Sequence, residues 1–216
     1  MLDLPNVPEL DKARLIGGCI RLPLNVDHTR LRAEIAQLPG SLWGSKGGRV
    51  GVHNQAEAIF LRGYAPAEGE RPIEERPVLA RLPEVRRLIT QVISAEPMRC
   101  LLARLAPGGR VPVHIDGAKY FSKTLRLHFP IETNASVAMW CSGLSYRMRV
   151  GEAWALNNSA VHGVYNADPV NPRTHLICDF LPSTSLLQLL ADGEPALGVA
   201  NPELEAYLLG RADAGA

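Results

Sequence analysis

The sequence predicts a mainly β domain, a β-sandwich or jelly-roll barrel with α-helices packed outside it. From Met98 onward, short apolar runs with period-two alternation follow one another at a spacing of roughly 8–12 residues. Helical spacing of leucine and isoleucine occurs only before and after these runs. A chain of 216 residues can bury one sizeable core. We therefore predict a single domain over 1–216, with a β core at about 98–182 and helical flanks at 1–97 and 183–216.

The N-terminal flank is predicted to hold two strands, two helices and two exposed loops. The strands cover 14–24 and 58–62. One helix follows Asp27, a good N-cap residue, and ends at Pro39-Gly40, and the other covers 85–93. Glycines at 40–51 and polar residues at 65–76 predict the loops.

The β core is predicted to contain eight strands, and the C-terminal flank two helices. The strands are expected at 101–105, 111–115, 124–131, 136–141, 146–150, 153–157, 161–165 and 174–181. The helices are expected at 186–190 and 204–209, the second after the capping sequence Asn201-Pro202-Glu203.

Composition and charge exclude several classes of protein. A formal net charge of +1 with scattered basic residues does not favour nucleic acid or an anionic membrane as partner. The four cysteines are far apart and form no CxxC, which predicts core thiols in a reducing compartment. The N-terminus does not have the pattern of a signal peptide, and the chain has no run of about 18 apolar residues that could span a bilayer. We therefore expect a cytoplasmic protein.

A candidate metal site begins at His114 and Asp116. Residues i and i+2 of a strand share a face, so these two side chains converge while Ile115 points away. His162, in another predicted strand, supplies a possible third ligand. Two imidazoles and one carboxylate leave open metal positions, which suits Fe(II) with a chelating keto acid and dioxygen better than tetrahedral zinc. The alternative is a chance HxD with ordinary strand histidines.

Arg173 is the candidate for binding such a keto acid. It lies 11 residues after His162 and just before the apolar run 176–180. Its guanidinium can bind the distal carboxylate of the keto acid through two parallel hydrogen bonds. The alternative is an arginine that only ends a strand.

Four segments in order resemble one family of enzymes. They are LARLAPGGRVPVHID, LRLHFPI, GEAWALNNSAVHGVYN and RTHLICDF, and GRVGVHNQAEAIFLRG is similar more loosely. Together they resemble the aspartyl/asparaginyl β-hydroxylase family of Fe(II)/2-oxoglutarate oxygenases, including bacterial relatives that hydroxylate free amino acids such as proline. Asp116 is a departure from the animal members, which lack the carboxylate ligand, and Ala103 stands where those members have a serine.

The resemblance implies a double-stranded β-helix, which is a jelly-roll, cupin-like core. It implies Fe(II), 2-oxoglutarate as cosubstrate, and O2. His114 and His162 would bind iron, and Arg173 would bind 2-oxoglutarate. Arg126 and His128, which share one face of a strand, would contact the end of 2-oxoglutarate nearest the metal.

The expected activity is hydroxylation of an unactivated C–H bond in an amino acid or a derivative of one, with release of succinate and CO2. The substrate could be free, carrier-bound or peptidyl; the rivals are a hydroxylase of protein side chains and a non-redox metal-binding module of cupin type. Loops at 40–51 and 117–123 are expected to cover the site. Candidate substrate-contacting residues are Trp43, His53, Asn54, Gln55, Tyr120, Trp140 and Asn157. The alternative for each is a structural role, and for the two tryptophans burial in the core is the favoured interpretation.

Overall fold

Two antiparallel sheets face each other in the computed structural model, which describes residues 4, 6–44, 52–64 and 71–210. Ten strands lie within these described residues. They are β1 Cys19–Leu22, β2 Ala56–Arg62, β3 Pro97–Leu105, β4 Arg110–His114, β5 Leu125–Glu132, β6 Val137–Cys141, β7 Leu144–Tyr146, β8 Ala153–Leu156, β9 His162–Asn166 and β10 Arg173–Phe180. One sheet has the order β1-β8-β5-β10-β3-β2 and the other β4-β9-β6-β7.

The pairing of β3 to β10 is that of a double-stranded β-helix. The first of these strands pairs with the last, β4 with β9, β5 with β8, and β6 with β7. This nested pairing confirms the predicted jelly roll. The N-terminal flank is not only helical, because β1 and β2 extend the two edges of the larger sheet.

Helices pack on both sheets: several lie against the outer face of the larger sheet, and the last one contacts β4 and β9 of the smaller sheet. They are α1 Lys12–Leu15, α2 His28–Ile35, α3 Pro83–Arg87, α4 Lys119–Lys123, α5 Thr184–Ala191 and α6 Pro202–Leu208. A π-helical turn, Leu88–Val92, continues α3. The carboxylate of Asp27 caps α2 as predicted, accepting from the backbone N–H of Arg30. In the described part of the chain, no helix is both long enough and apolar enough to cross a membrane.

The two faces of the larger sheet have opposite chemistry. In β5 and β10, every second residue is apolar and packs against α2, α3 and α5 in the main core (Leu125, Leu127, Phe129, Leu176, Cys178, Phe180). On the opposite face, polar residues of these strands point into the space between the sheets (Arg126, His128, Arg173, His175, Asp179), together with the apolar Ile177. Period-two alternation therefore separates a packing face from a functional face in the same strands.

Three predicted elements differ from the structure. The predicted strand 14–24 is replaced by α1 and a shorter β1, because Asp11 caps a helical turn that ends at Gly17, which has a φ of 68°. The predicted strand 146–150 is displaced to β7, because Ser142 and Gly143, with φ of 51° and 85°, form a two-residue hairpin turn after β6. The loop predicted at 117–123 contains α4, whose Phe121 is buried. The predicted loops at 40–51 and 65–76 lie largely outside the described residues.

Candidate metal centre and carboxylate site

His114, Asp116 and His162 meet at one end of the smaller sheet. His114 ends β4, His162 begins β9, and the two are register partners whose ring centroids lie 4.2 Å apart. One potential ligand atom from each of the three residues lies within 4.8 Å of the others. Ile115, between two of them, is 44% exposed and points away, as the strand alternation predicts.

Backbone carbonyls fix the orientation of both imidazoles. The Nδ1 of His114 lies 2.9 Å from the carbonyl oxygen of Pro112, and the Nδ1 of His162 lies 3.0 Å from that of Ala160. A carbonyl can only accept, so each Nδ1 carries the proton and each Nε2 keeps its lone pair for a metal. Burial, together with the charge of His114, lowers the pKa of His162 to about 3. His162 is therefore neutral near pH 7, as a metal ligand must be.

The carboxylate of Asp116 is held by two donors on one oxygen. Its Oδ2 accepts from Arg126 Nη1 at 2.6 Å and from Asn158 Nδ2 at 3.0 Å. Its Oδ1 lies 3.8 Å from His114 Nε2. Burial alone would raise the pKa of Asp116, but Arg126, His162, the hydrogen bond from Asn158 and His114 outweigh it and hold the pKa well below its usual range. Asp116 is therefore an anion, as a metal ligand requires.

A cavity of about 540 Å³, including space open to solvent, lies between the two sheets next to these ligands. Polar groups line it from both sides: His114 and His162 from the smaller sheet, and Arg126, His128 and Arg173 from the larger. The remaining lining side chains are mostly apolar and include Leu105, Val111, Met139, Leu156, Val164 and Ile177. The cavity thus combines an apolar wall with a few fixed polar groups, as small-molecule sites do.

Arg173 is buried in this cavity without an acidic partner among the described residues. Its Nη2 donates to Nδ1 of His175 at 2.7 Å, and its Nε has no hydrogen-bond partner in the described structure. Burial lowers the pKa of Arg173 to about 9. A buried guanidinium that lacks a counter-ion is costly, so an incoming carboxylate would be strongly favoured.

The buried histidines beside Arg173 are neutral, and Nδ1 of His128 lies 3.4 Å from Nδ1 of His175. A guanidinium cannot accept, so Nδ1 of His175 is the acceptor and its proton is on Nε2. Burial, reinforced by the charge of Arg173, lowers the pKa of His128 and of His175 well below the usual range. The Nε2 of His128 has no partner in the described structure.

Comparison with known families identifies the chain. Residues 57–182 match the family model described as Aspartyl/Asparaginyl beta-hydroxylase. The chain belongs to this family. It is therefore a 2-oxoglutarate-dependent oxygenase that uses Fe(II), 2-oxoglutarate and O2, and the His-Asp-His group supplies a suitable metal site. No curated protein matches the sequence.

Solved structures are similar to this oxygenase in fold. A 2OG-Fe(II) oxygenase family oxidoreductase from Burkholderia pseudomallei has a TM-score of 0.57 and 14% identity, covering 81% of this chain and 88% of its own. The epimerase SnoN from nogalamycin biosynthesis has a TM-score of 0.49 and 13% identity, covering 82% and 85%. A prolyl-4-hydroxylase from Pseudomonas putida has a TM-score of 0.44 and 15% identity, covering 80% and 96%. Only the first has a TM-score above 0.5, so only the first supports the fold.

Of the residues predicted to contact substrate in this oxygenase, only His53 lines the cavity, its ring centroid 5.2 Å from that of His114. Asn54 and Gln55 are exposed, and Gln55 accepts from the backbone of Arg110. The other four are buried outside the cavity lining: Trp43 lies beneath Arg104, Trp140 packs against α6, Tyr120 donates to Asp179, and Asn157 donates to Gly17. The predicted substrate contact of Tyr120 does not fit the structure, because α4 turns its side chain into the interior.

Sequence reasoning missed four residues around the site. His175 and Asp179 share the inward face of β10 with Arg173, so the i+2 and i+6 spacing was an available signal. No local sequence pattern identifies Asn158 and Lys12, because their contacts join distant parts of the chain. The Nζ of Lys12 donates to Oδ1 of Asn158 at 2.7 Å across 146 positions.

Proposed function

We propose that the protein hydroxylates an unactivated C–H bond of an amino acid or an amino-acid derivative, with iron held by His114, Asp116 and His162 and 2-oxoglutarate held by Arg173. The observation that carries this proposal is the buried guanidinium of Arg173, which shares a cavity with both histidines and has no acidic partner in the described structure. A metal-binding module without a keto acid would have no need for such a cation.

The donor set fits Fe(II). Two neutral imidazole nitrogens and one carboxylate oxygen on rigid strand ends form a three-ligand face, and this face leaves metal positions open. When bound, iron with 2-oxoglutarate and O2 supplies oxidative decarboxylation of the keto acid to succinate and CO2, coupled to hydroxylation of the substrate. The role of the chain is to hold these ligands in fixed protonation states and to orient both organic molecules.

Arg173 and His128 fit the two ends of 2-oxoglutarate. Arg173 is cationic and lacks a counter-ion, so it would bind the distal carboxylate through charge-assisted hydrogen bonds. His128 is neutral and lines the same cavity. Its Nδ1 faces the accepting Nδ1 of His175, and its Nε2, which has no partner in the described structure, would lie against the end of 2-oxoglutarate nearest the metal. The apolar side chains Leu156 and Ile177 would contact the methylene groups between them.

The family description supports the proposed substrate class. It names aspartyl and asparaginyl groups, which supports an amino-acid-like substrate, whether free, carrier-bound or peptidyl. The same description leaves a protein side chain as the second candidate. Among the predicted contact residues, His53 is best placed to meet the substrate, since it lines the cavity beside His114.

The test of the cofactor assignment is an anaerobic titration. Fe(II) and 2-oxoglutarate added to the wild-type protein should produce a weak visible charge-transfer band. His162→Ala and Asp116→Ala should abolish the band. Arg173→Gln should weaken 2-oxoglutarate binding by roughly two orders of magnitude, because it removes one partner of a buried charge pair, while Fe(II) affinity stays nearly unchanged.

Arg110→Gln is the matched control, because Arg110 binds the outer helix α6 through the carbonyl of Tyr207 and does not line the cavity. It should leave both affinities unchanged. A panel of free amino acids, short peptides and carrier-bound amino acids, assayed for succinate and for gain of one oxygen atom by mass spectrometry, tests the substrate class. No band in wild type, and no succinate with any member of the panel, would overturn the proposal.

A further inference from the structure

Arg126 lines the cavity, but its guanidinium already donates hydrogen bonds to two carboxylates of this chain. Its Nε and Nη2 donate to Oδ1 and Oδ2 of Asp179 at 2.8 and 3.0 Å, and its Nη1 donates to Oδ2 of Asp116 at 2.6 Å. The first pair is a bidentate fork, the strongest arrangement open to an arginine. All three nitrogens of the guanidinium therefore face acidic residues of this chain.

The surroundings keep Arg126 in this position. Asp179 is 1% exposed and also accepts from the hydroxyl of Tyr120 at 3.1 Å. The ring of Phe121 lies 5.0 Å from the guanidinium carbon. Turning Arg126 toward a ligand in the cavity would break three charge-assisted hydrogen bonds and leave two buried carboxylates undercompensated, which is strongly unfavourable.

The same network places two donors on one oxygen of Asp116. Arg126 and Asn158 both donate to Oδ2, and Asn158 is itself held by Lys12. The backbone N–H of Asp116 donates to the carbonyl of Asn158 at 3.0 Å, which fixes the main chain as well. Oδ1 is the oxygen on the side of His114.

We propose that Arg126, together with Asn158, is a positioning residue for the metal ligand Asp116 and does not bind 2-oxoglutarate. By occupying Oδ2, the two donors make Asp116 bind the metal through Oδ1 alone. One-oxygen binding keeps a coordination position free that a two-oxygen carboxylate would fill, and the bound keto acid and dioxygen need every open position. This inference rests on the proposed iron site and replaces the role that the family resemblance implies for Arg126.

The test separates metal affinity from 2-oxoglutarate affinity. For Arg126→Gln, Asn158→Ala and Asp179→Asn, Fe(II) binding is measured by anaerobic calorimetry, and 2-oxoglutarate binding by the visible band at saturating Fe(II). Loss of a supporting residue around a metal ligand weakens metal binding by about 10–100-fold, so each variant should lose about tenfold or more in Fe(II) affinity. The 2-oxoglutarate affinity should change less than about threefold, a difference of roughly 0.6 kcal/mol.

Two further measurements distinguish positioning from general loss of structure. The d–d bands of the Co(II)-substituted protein report coordination geometry and should shift in Arg126→Gln. Arg126→Lys should recover part of the Fe(II) affinity, because it restores the charge without the fork. Arg173→Gln is the matched control with the opposite pattern, losing 2-oxoglutarate affinity and keeping Fe(II).

A loss of 2-oxoglutarate affinity equal to or larger than the loss of Fe(II) affinity, or unchanged Fe(II) affinity, overturns the inference. If Arg126→Gln does not fold, the same criterion applies to Asn158→Ala and Asp179→Asn, which each retain Arg126. If wild type itself binds no Fe(II), the proposed function fails, and that result differs from any outcome in which only the variants change.

Discussion

At the scale of single residues, Gly163 shows how tightly the metal site is built. It follows His162 in β9 and lines the cavity. A Cβ atom at this position would lie 2.9 Å from the carbonyl oxygen of Val111 and 3.3 Å from the backbone nitrogen of Val113. Glycine therefore lets β9 approach β4 closely enough for the two histidine rings to face each other.

Gly163→Ala is expected to lower Fe(II) affinity by about tenfold, because the added methyl group must push β9 away from β4 and separate His162 from His114. Anaerobic calorimetry measures the affinity, and circular dichroism checks the fold. Gly40→Ala is the control, since a Cβ atom there meets nothing within 4 Å. Equal Fe(II) affinities in wild type and Gly163→Ala would contradict this explanation.

The residues that the sequence could identify are those linked by strand alternation. His114 and Asp116 are two positions apart, and the structure brings them together with His162. The partners of Asp116 could not be identified in this way. Arg126 reaches it from another strand and Asn158 from the loop after β8, so their roles depend on pairing between sheets and not on local pattern.

At the scale of elements, the differences between prediction and structure have local physical causes. Apolar residues at 14–24 resemble a strand, but a capping aspartate and a glycine with positive φ create α1 in its first half. The hairpin turn at Ser142 and Gly143 makes the next strand begin at Leu144, earlier than the strand predicted at 146–150. In each case a turn determined the boundary, and hydrophobic periodicity alone does not locate turns.

Helix α4 is the element whose prediction differed most from its structure. Glycine and lysine around it suggested an exposed cover for the site. Instead, Tyr120 and Phe121 point inward, where one binds Asp179 and the other supports Arg126. The segment is thus part of the interior around the metal ligands. The polar residues in its sequence do not predict this inward orientation.

At the scale of the whole molecule, the space between the sheets contains three buried neutral histidines. Burial lowers the pKa of His128, His162 and His175 below the ordinary value near 6.5. Between the folded and unfolded pKa values, the unfolded chain binds more protons than the folded one. The contribution of these histidines to the free energy of unfolding is therefore fully present above about pH 6.5, and it is lost as the pH falls below that value.

The metal-free protein is expected to lose up to about 4 kcal/mol of unfolding free energy per pH unit below pH 6, since each neutral histidine contributes about 1.4 kcal/mol per unit. Urea unfolding at pH 7.5, 6.0 and 5.0 measures this dependence. His175→Gln should make it shallower by about one third. His28→Gln, outside the space between the sheets, should leave the slope unchanged; a similar change in both variants would argue against the explanation.

The hydrogen-bond donors around Asp116 have a consequence for anions that are not part of the chain. Arg126 and Asn158 aim two N–H groups at one oxygen, and Lys12 stands behind them. Together they form an anion-binding site that the side-chain carboxylate of Asp116 occupies. Asp116→Gly would remove the anion that Arg126 Nη1 and Asn158 hold beside the two histidines, so chloride is expected to bind there. Chloride should then raise the melting temperature of this variant more than acetate does at equal ionic strength, with no such preference in wild type.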